Sequence, residues 1–357
     1  MSDQKSAIEI PHGDLNLVMC EECGFVYNVA FDLRKLRYGG EYDNTQSCSP
    51  SFNAYLDRLV RYMVEERGVH NCHIVEVGCG QGLFLRKLVE YEGAGNYGYG
   101  FDPSYQGENT ALGGRLKFEK RYYDEKCADV CANVVVSRHV IEHVPDPLSL
   151  LRNIKKALAH SVNARIFCET PCVEWILRNR VIWDFFYEHC SYFTAESLAT
   201  AFQIAGFKVE DVQHVFGGQY LWLEATNSST PDSNVTQKPE QLSMLAGEFA
   251  ASESKLKQHW QAKIEEIAVK EKVALWGAGA KGVTFANLVE PRQKWIDCVV
   301  DLNPQKQGRF IPGTGHPITS YKELGRRGVT IAVLMNPNYR AENLLLLQQA
   351  NLDVHLI

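Results

Sequence analysis

No stretch of the 357-residue chain approaches the roughly 18–20 consecutive apolar residues that span a bilayer. The N-terminus, MSDQKSAIEIPHGD, is polar and lacks the apolar core of a secretion signal. A cytoplasmic protein with no membrane partner is expected. No Lys/Arg run stands out against a formal charge of −6, so no nucleic-acid partner is expected either. The 11 cysteines are scattered and odd in number, and without a secretion signal they read as reduced thiols. Oligomeric state is not legible, and a monomer is compatible with everything in the chain.

What is present is ordinary for a globular protein: 45% hydrophobic and 22% charged residues. At roughly 100–200 residues per domain, the length implies two or three domains. Residues 1–55 form a Tyr-, Cys- and Gly-rich lobe of weak periodicity. Residues 56–226 alternate helices and strands, after an amphipathic YLDRLVRYMVEER (55–67). The strand candidates are HIVEVG (73–78), YGYGFD (97–102), ANVVVS (132–137) and ARIFCET (164–170), with helices at 82–91, 146–159 and 194–205. FKVEDVQHV and GGQYLWLEAT close the sheet around Gly217-Gly218. Residues 227–270 hold a linker, NSSTPDSNVTQKPE, and a helix from Gln241 to Val269. Residues 271–357 restart a βαβ pattern. This alternation predicts an α/β protein with mainly parallel sheets.

HIVEVGCGQGLFLRKL reads as strand, glycine turn and helix start. Glycines let the backbone turn tightly against a ligand, and the helix N-terminus supplies N–H groups. The spacing is Glu76-x-Gly78-x-Gly80-x-Gly82, and an acid, Asp102, ends the next strand. That spacing is typical of class I methyltransferases, which bind S-adenosylmethionine on a Rossmann-like sheet. Asp102 is then the candidate for the ribose hydroxyls and Glu76 for the methionine end. Ser137, Arg138 and His139 end ANVVVS, where ligands bind in such sheets. Tyr122, Tyr123 and Asp124 are candidates to meet the adenine, with core packing as the alternative for the two tyrosines.

Further motifs are CEECGFVYN, SRHVIEHVPDP, FFYEHCSYFT, GAGAKGVTFANLV, VVDLNPQKQGRFIPGTGHPI and MNPNY. Together with VEVGCGQG they make the chain resemble, nearly end to end, the sugar C-methyltransferases. Those enzymes methylate carbon 3 of nucleotide-linked 4-keto-6-deoxysugars. The resemblance implies a central methyltransferase sheet, a small substrate-covering N-terminal lobe and a Rossmann-like C-terminal domain on the sugar-nucleotide side. It also implies proton removal next to a ketone, followed by attack of the enolate carbon on the methyl group.

Matched residue by residue, His189 takes the base position, Glu188 the adjacent carboxylate and His143 a second active-site histidine. The chain departs from the family at Phe186, where the family has a tyrosine, and at Tyr187, where it has a histidine. Either Tyr187 fills the missing phenol's role from a shifted position, or another group does. Tyr38 and Tyr42 fall in a tyrosine-containing segment that lines the family's active site.

Cys20-x-x-Cys23 is half of a zinc knuckle, and the family's earlier CxxC pair is missing. His12 and Cys48 lack knuckle spacing, so no metal is expected and the lobe should be held by Val18, Phe25, Val26 and Tyr27. The second glycine turn, WGAGAKG (276–282), alone suggests NAD, with Asp301 in the place of a ribose-binding acid. Glycine N–H groups and Lys281 suit a diphosphate equally well. Gly279, Lys281, Asn303, Asn336 and Tyr339 are the candidates for that surface. The rival readings are O- or N-methylation of another small molecule, hydride transfer, and a sugar-nucleotide binder with a vestigial methyltransferase fold.

Overall fold

The computed structural model describes residues 1–36, 46–161, 163–227 and 239–357. Tyr38 and Tyr42 lie outside the described residues. The N-terminal lobe holds α1 (Gln4–Ile8), β1 (Leu17–Met19) and β2 (Val26–Asn28). The central region runs α2 (Pro50–Arg61), β3 (His73–Val77), α3 (Leu83–Glu90), β4 (Tyr97–Phe101), β5 (Thr110–Ala111), β6 (Leu116–Glu119) and β7 (Val134–Arg138). It continues through α4 (Pro147–Ala157), β8 (Arg165–Pro171), α5 (Val173–Arg178), β9 (Ser191–Tyr192), α6 (Ala195–Ile204), β10 (Lys208–Val215) and β11 (Tyr220–Thr226). The last part holds α7 (Pro239–Ala268), β12 (Lys272–Trp276), α8 (Ala280–Val289), β13 (Ile296–Val300) and β14 (Ile318–Thr319). It closes with α9 (Leu324–Arg327), β15 (Val329–Leu334), α10 (Arg340–Gln349) and β16 (His355–Leu356).

The central sheet has the order β10-β11-β8-β7-β3-β4-β6-β5. β3 pairs in parallel with both β4 and β7, while β11 enters antiparallel beside β8. The chain therefore winds outward from β3 to one side, then returns to fill the other. Such a reversal opens a crevice at the carboxyl ends of β3 and β7, where ligands of these sheets bind. β6 escapes the alternating pattern in the sequence because only Leu116 and Phe118 point inward from its four residues.

Local chemistry sets the helix starts. Ser49 and Asp146 accept the N–H groups of Phe52 and Ser149, with Pro50 and Pro147 in the first turns of α2 and α4. Thr194 and Ser197 form a capping box at α6. α2 and α3 cover one face of the sheet with Phe52, Leu56, Leu85 and Leu88. α4 and α6 cover the other with Leu151, Ile154, Leu198 and Phe202.

The C-terminal sheet, β14-β13-β12-β15-β16, is parallel throughout. This is a half-Rossmann order, with its own crevice between β12 and β15. The loop before β14 is pinned by buried His316, which bonds Glu290 at 2.8 Å and Thr314 at 2.7 Å.

The N-terminal lobe is not self-contained. Its sheet is β1-β2-β9, and β9 belongs to the central region. Val26 is buried and Phe25 leans on Phe193 at 5.1 Å, but Tyr27 is 41% exposed. Successive residues of a strand face opposite ways, so Val26 and Tyr27 cannot both pack inward. The boundary expected at residues 55/56 falls inside α2. The long helix expected over Gln241–Val269 spans Pro239–Ala268.

Gly282 tests the tightness of the second turn. A Cβ there would stand 1.8 Å from the Gly277 carbonyl oxygen. Gly282→Ala is expected to lower C-terminal stability by at least about 2 kcal/mol, read as an earlier denaturant midpoint.

Candidate active site

The first glycine turn leaves β3 and opens α3. Glu76 is buried, accepts the Leu85 N–H at 3.1 Å, and is pushed up to about 8 by burial. Gly78, Gly80 and Gly82 sit at φ 72°, 53° and 77°, the left-handed region that favours glycine. A Cβ at Gly78 would strike Val140 at 2.2 Å, and one at Gly82 would strike Phe118 at 2.6 Å. At Gly80 it would meet nothing within 4 Å, so this part of the turn leaves room against the backbone. Asp102, at the end of β4, accepts the Gly80 N–H at 2.8 Å and the Ser104 hydroxyl at 2.6 Å.

Beside the turn lies a buried charge cluster. The Glu169 carboxylate, on β8, has no exposed surface. It accepts Arg138 Nε at 3.1 Å and Nη2 at 3.2 Å, His139 Nε2 at 2.7 Å and the Tyr55 hydroxyl at 3.0 Å. Burial pushes Glu169 up, but Arg138 and His139 outweigh it and hold the carboxyl at about 2. Burial pushes His139 down, but Glu169 and Glu142 outweigh it and hold the imidazole at about 9. His139 has φ 54°, with its backbone N–H donated to the Glu169 carbonyl at 2.8 Å. Glu142 is also buried and accepts the Thr170 hydroxyl at 3.0 Å.

Two imidazoles follow. His143 and His189 meet edge to face, with ring centroids 4.6 Å apart at 84°. His143 Nδ1 lies 2.8 Å from the Glu188 carbonyl, which only accepts, so Nδ1 carries the proton. In neutral His143 the lone pair is then on Nε2. His189 is 6% exposed, and its ring centroid lies 4.0 Å from that of Phe186. Burial pushes His189 well below the usual histidine range.

One cavity of about 400 Å³ is lined by both glycine turns and both histidines. Of the sequence candidates, Glu76, Gly78, Gly80, Arg138, His139, His143 and His189 line its central side. Gly279, Lys281, Asn303, Asn336 and Tyr339 line its C-terminal side. Lys281 Nζ donates to Asp184 at 2.6 Å and to Gln219 at 3.2 Å. Gln219 and Asn336 exchange two amide bonds, of 2.8 and 3.1 Å. The Asp301 carboxylate accepts the Ala278 N–H at 2.9 Å, closing its own glycine turn as Asp102 closes the first.

Gly82, Asp102, Ser137, Tyr187 and Glu188 are not in the cavity wall. Ser137 is buried in β7, and Gly82 packs under Phe118. The Tyr187 hydroxyl accepts the Asp32 N–H at 2.7 Å, and its ring stacks on Phe31 at 5.5 Å. Tyr187 therefore faces the N-terminal lobe and does not take the place of the phenol missing at Phe186, which does line the cavity. Tyr122 is 61% exposed, Tyr123 packs on Phe101 at 5.3 Å, and Asp124 caps a short helical turn. The sequence pattern missed Glu142, Glu169, Asp184, Gln219 and Tyr55. A glutamate inside the apolar strand ARIFCET was the available signal, since a buried charge must be paired.

Residues 51–212 match the family described as a methyltransferase domain, and residues 235–352 the C-methyltransferase C-terminal domain. The C-methyltransferase NovU of Streptomyces niveus is 24% identical over 351 residues, covering 92% of this chain and 81% of that protein. The chain thus joins a methyltransferase domain to a C-methyltransferase C-terminal domain. It is an enzyme of the S-adenosylmethionine-dependent methyltransferase class, acting on a small molecule. Its fold is α/β, with a class I methyltransferase sheet and a second, parallel C-terminal sheet.

Among solved structures, it is similar to a Burkholderia thailandensis 1,6-didemethyltoxoflavin-N1-methyltransferase holding S-adenosylhomocysteine. The two are 15% identical, over 59% of this chain and 97% of that one, with a TM-score of 0.39. It is also similar to an S-adenosylmethionine-dependent methyltransferase from Aquifex aeolicus, at 17% identity, over 51% and 96%, with a TM-score of 0.39. No helix among the described residues is long and apolar enough to cross a membrane.

The charge cluster sets a stability prediction for this C-methyltransferase. Glu169→Gln leaves Arg138 and His139 buried without their counter-charge, and should cost about 3–5 kcal/mol. The pH sign follows from the two shifts. The Glu169 contribution is full above its ordinary 4.5 and lost as pH falls toward 2. The His139 contribution is full below its ordinary 6.5 and lost as pH rises through about 9. Chemical denaturation across pH should therefore show a maximum between about 4.5 and 6.5, flattened in Glu169→Gln.

Proposed function

We propose that this enzyme transfers a methyl group to carbon 3 of a TDP- or GDP-linked 4-keto-6-deoxyhexose, in the cytoplasm. The observation that carries the reading is one cavity lined at once by the first glycine turn, the C-terminal glycine turn and a pair of imidazoles, of which His189 is buried. Glu76, Gly78 and Gly80, with Arg138 and His139, are the residues to hold S-adenosylmethionine. When bound, that cofactor supplies a methyl group on sulfonium, open to attack by a carbon nucleophile. The C-terminal lobe takes the nucleotide on Gly279, Lys281, Asn303, Asn336 and Tyr339.

His189 is the proposed base. Hydrogens next to a ketone are acidic enough for a neutral imidazole to remove one. Burial keeps His189 neutral at ordinary pH and so ready to accept that proton. His143 is oriented through Nδ1, and in its protonated form Nε2 donates to the enolate oxygen. Glu188 acts through its backbone carbonyl, which fixes the ring of His143. Phe186 keeps water from the pair, as enolate chemistry requires. Opening of the Lys281–Asp184 bond would free the ammonium for a diphosphate.

Phe186 in place of the family's tyrosine favours a second reading, O- or N-methylation, which needs no enolate donor. Solvent deuterium exchange at carbon 3 without methyl donor separates the two, since only the carbon enzyme exchanges. Labelled cofactor with TDP- and GDP-linked keto sugars should yield a labelled sugar, and no label with either would sink the assignment. His189→Asn should lose at least about 100-fold in turnover with cofactor affinity intact. A base active when neutral, and held below 6.5, places the acid limb of kcat/KM below pH 6.5. A limb at or above 6.5 would move the base elsewhere.

A further inference from the structure

Glu142, His143 and His189 each offer one ligand atom, and these atoms lie within 4.8 Å of one another. Glu142 and His189 are 1% and 6% exposed. Glu142 Oε1 and His189 Nδ1 are enclosed and have no hydrogen-bond partner. Enclosed polar atoms normally have partners, so His189 Nδ1, beside the cavity, calls for a ligand. Glu142 Oε1 faces His139 Nδ1 at 3.4 Å, an ion-pair neighbour that leaves its side toward His143 and His189 open to a cation. His143 is oriented through its Nδ1–H by the Glu188 carbonyl at 2.8 Å. A metal-ligating histidine is normally held this way, so that its other nitrogen faces the ion.

One carboxylate and two imidazoles suit Zn²⁺ and its borderline neighbours Co²⁺ and Ni²⁺, while Mg²⁺ and Ca²⁺ prefer all-oxygen sets. Bonds of about 2.0–2.1 Å place tetrahedral ligand atoms roughly 3.4 Å apart. The widest pair must then close by up to about an ångström and a half. Rotation of the half-buried His143 side chain and of the Glu142 carboxyl supplies that movement.

We infer that Glu142, His143 and His189 form a site for a zinc-class divalent cation, and that filling it shuts off methyl transfer. The ion takes the imidazole lone pair that would otherwise remove the substrate proton. The shut-off rests on the function proposed above; the site itself does not.

Co²⁺ reports such a site through the visible absorption of the tetrahedral ion. The full chain, in a Cys20→Ser, Cys23→Ser background, should develop that absorption with one equivalent of Co²⁺, and Zn²⁺ should bleach it. His189→Asn and Glu142→Gln should each weaken Co²⁺ binding at least tenfold. The metal-loaded protein should bind S-adenosylmethionine as before and lose methyl transfer, which returns on chelation. No tetrahedral absorption, or titrations unchanged in both variants, overturns the site. A saturated site with methyl transfer at full rate overturns the shut-off, and with it the assignment of His189 as base, while cation binding stands.

Discussion

The Glu169 carboxylate is the interaction on which the rest of this molecule depends. It has no exposed surface, yet it carries a full charge inside the central sheet. An unpaired carboxylate there would be prohibitive, so Arg138, His139 and Tyr55 are drawn onto it from β7, the loop after it and α2. Those three partners, through four hydrogen bonds, fix the carboxyl end of β7 against that of β8. They also anchor α2 over the first glycine turn and hold His139 in a left-handed conformation it would otherwise avoid. The chain then enters the short turn that presents Glu142 and His143. The geometry beside the first glycine turn therefore follows from one buried charge.

A second set of polar contacts joins the lobes into a single cavity. Lys281 reaches from the second glycine turn to Asp184, and Asn336 pairs with Gln219. Glu342 of α10 accepts the Ser49 hydroxyl and the Ser51 N–H, capping α2 of the central domain. Tyr339 donates to Gln46. These hydrogen bonds surround a ligand-sized space, beside an apolar contact of Trp183 on Phe285 and Trp260. Such contacts exchange partners at modest cost when a charged ligand enters. The N-terminal lobe braces the site from outside, because β2 pairs with β9, which begins two residues after His189. Packing of that lobe and placement of the histidine are the same structural event.

Phe186 and Tyr187 show how a one-residue offset redirects chemistry. The resemblance left open whether Tyr187 serves from a shifted position. In the structure the two rings face apart, Phe186 onto His189 and Tyr187 onto Phe31. An apolar ring against a buried imidazole leaves His189 without a hydrogen-bonding neighbour on that side and makes it harder to charge. The surroundings of the proposed base in this chain are drier than a phenol would make them.

The sequence by itself determined the two sheets, the two glycine turns and their order. Those features rest on local rules: glycine at positive φ, caps and prolines at helix starts, and apolar runs between turns. It also named residues on both sides of the cavity, since residues at the carboxyl ends of parallel strands share one edge of the sheet. It did not deliver β6, whose four residues give too short a period, nor the boundary of an N-terminal lobe completed by a strand from elsewhere. Only the tertiary structure decided that Asp102 and Asp301 spend their carboxylates on their own turns, that Tyr187 faces away, and that Glu142 and Glu169 are buried partners of the histidines. Each of those depends on contacts between residues far apart in the chain. The direction of a side chain, and what pairs with a buried charge, are fixed by packing that no local pattern encodes.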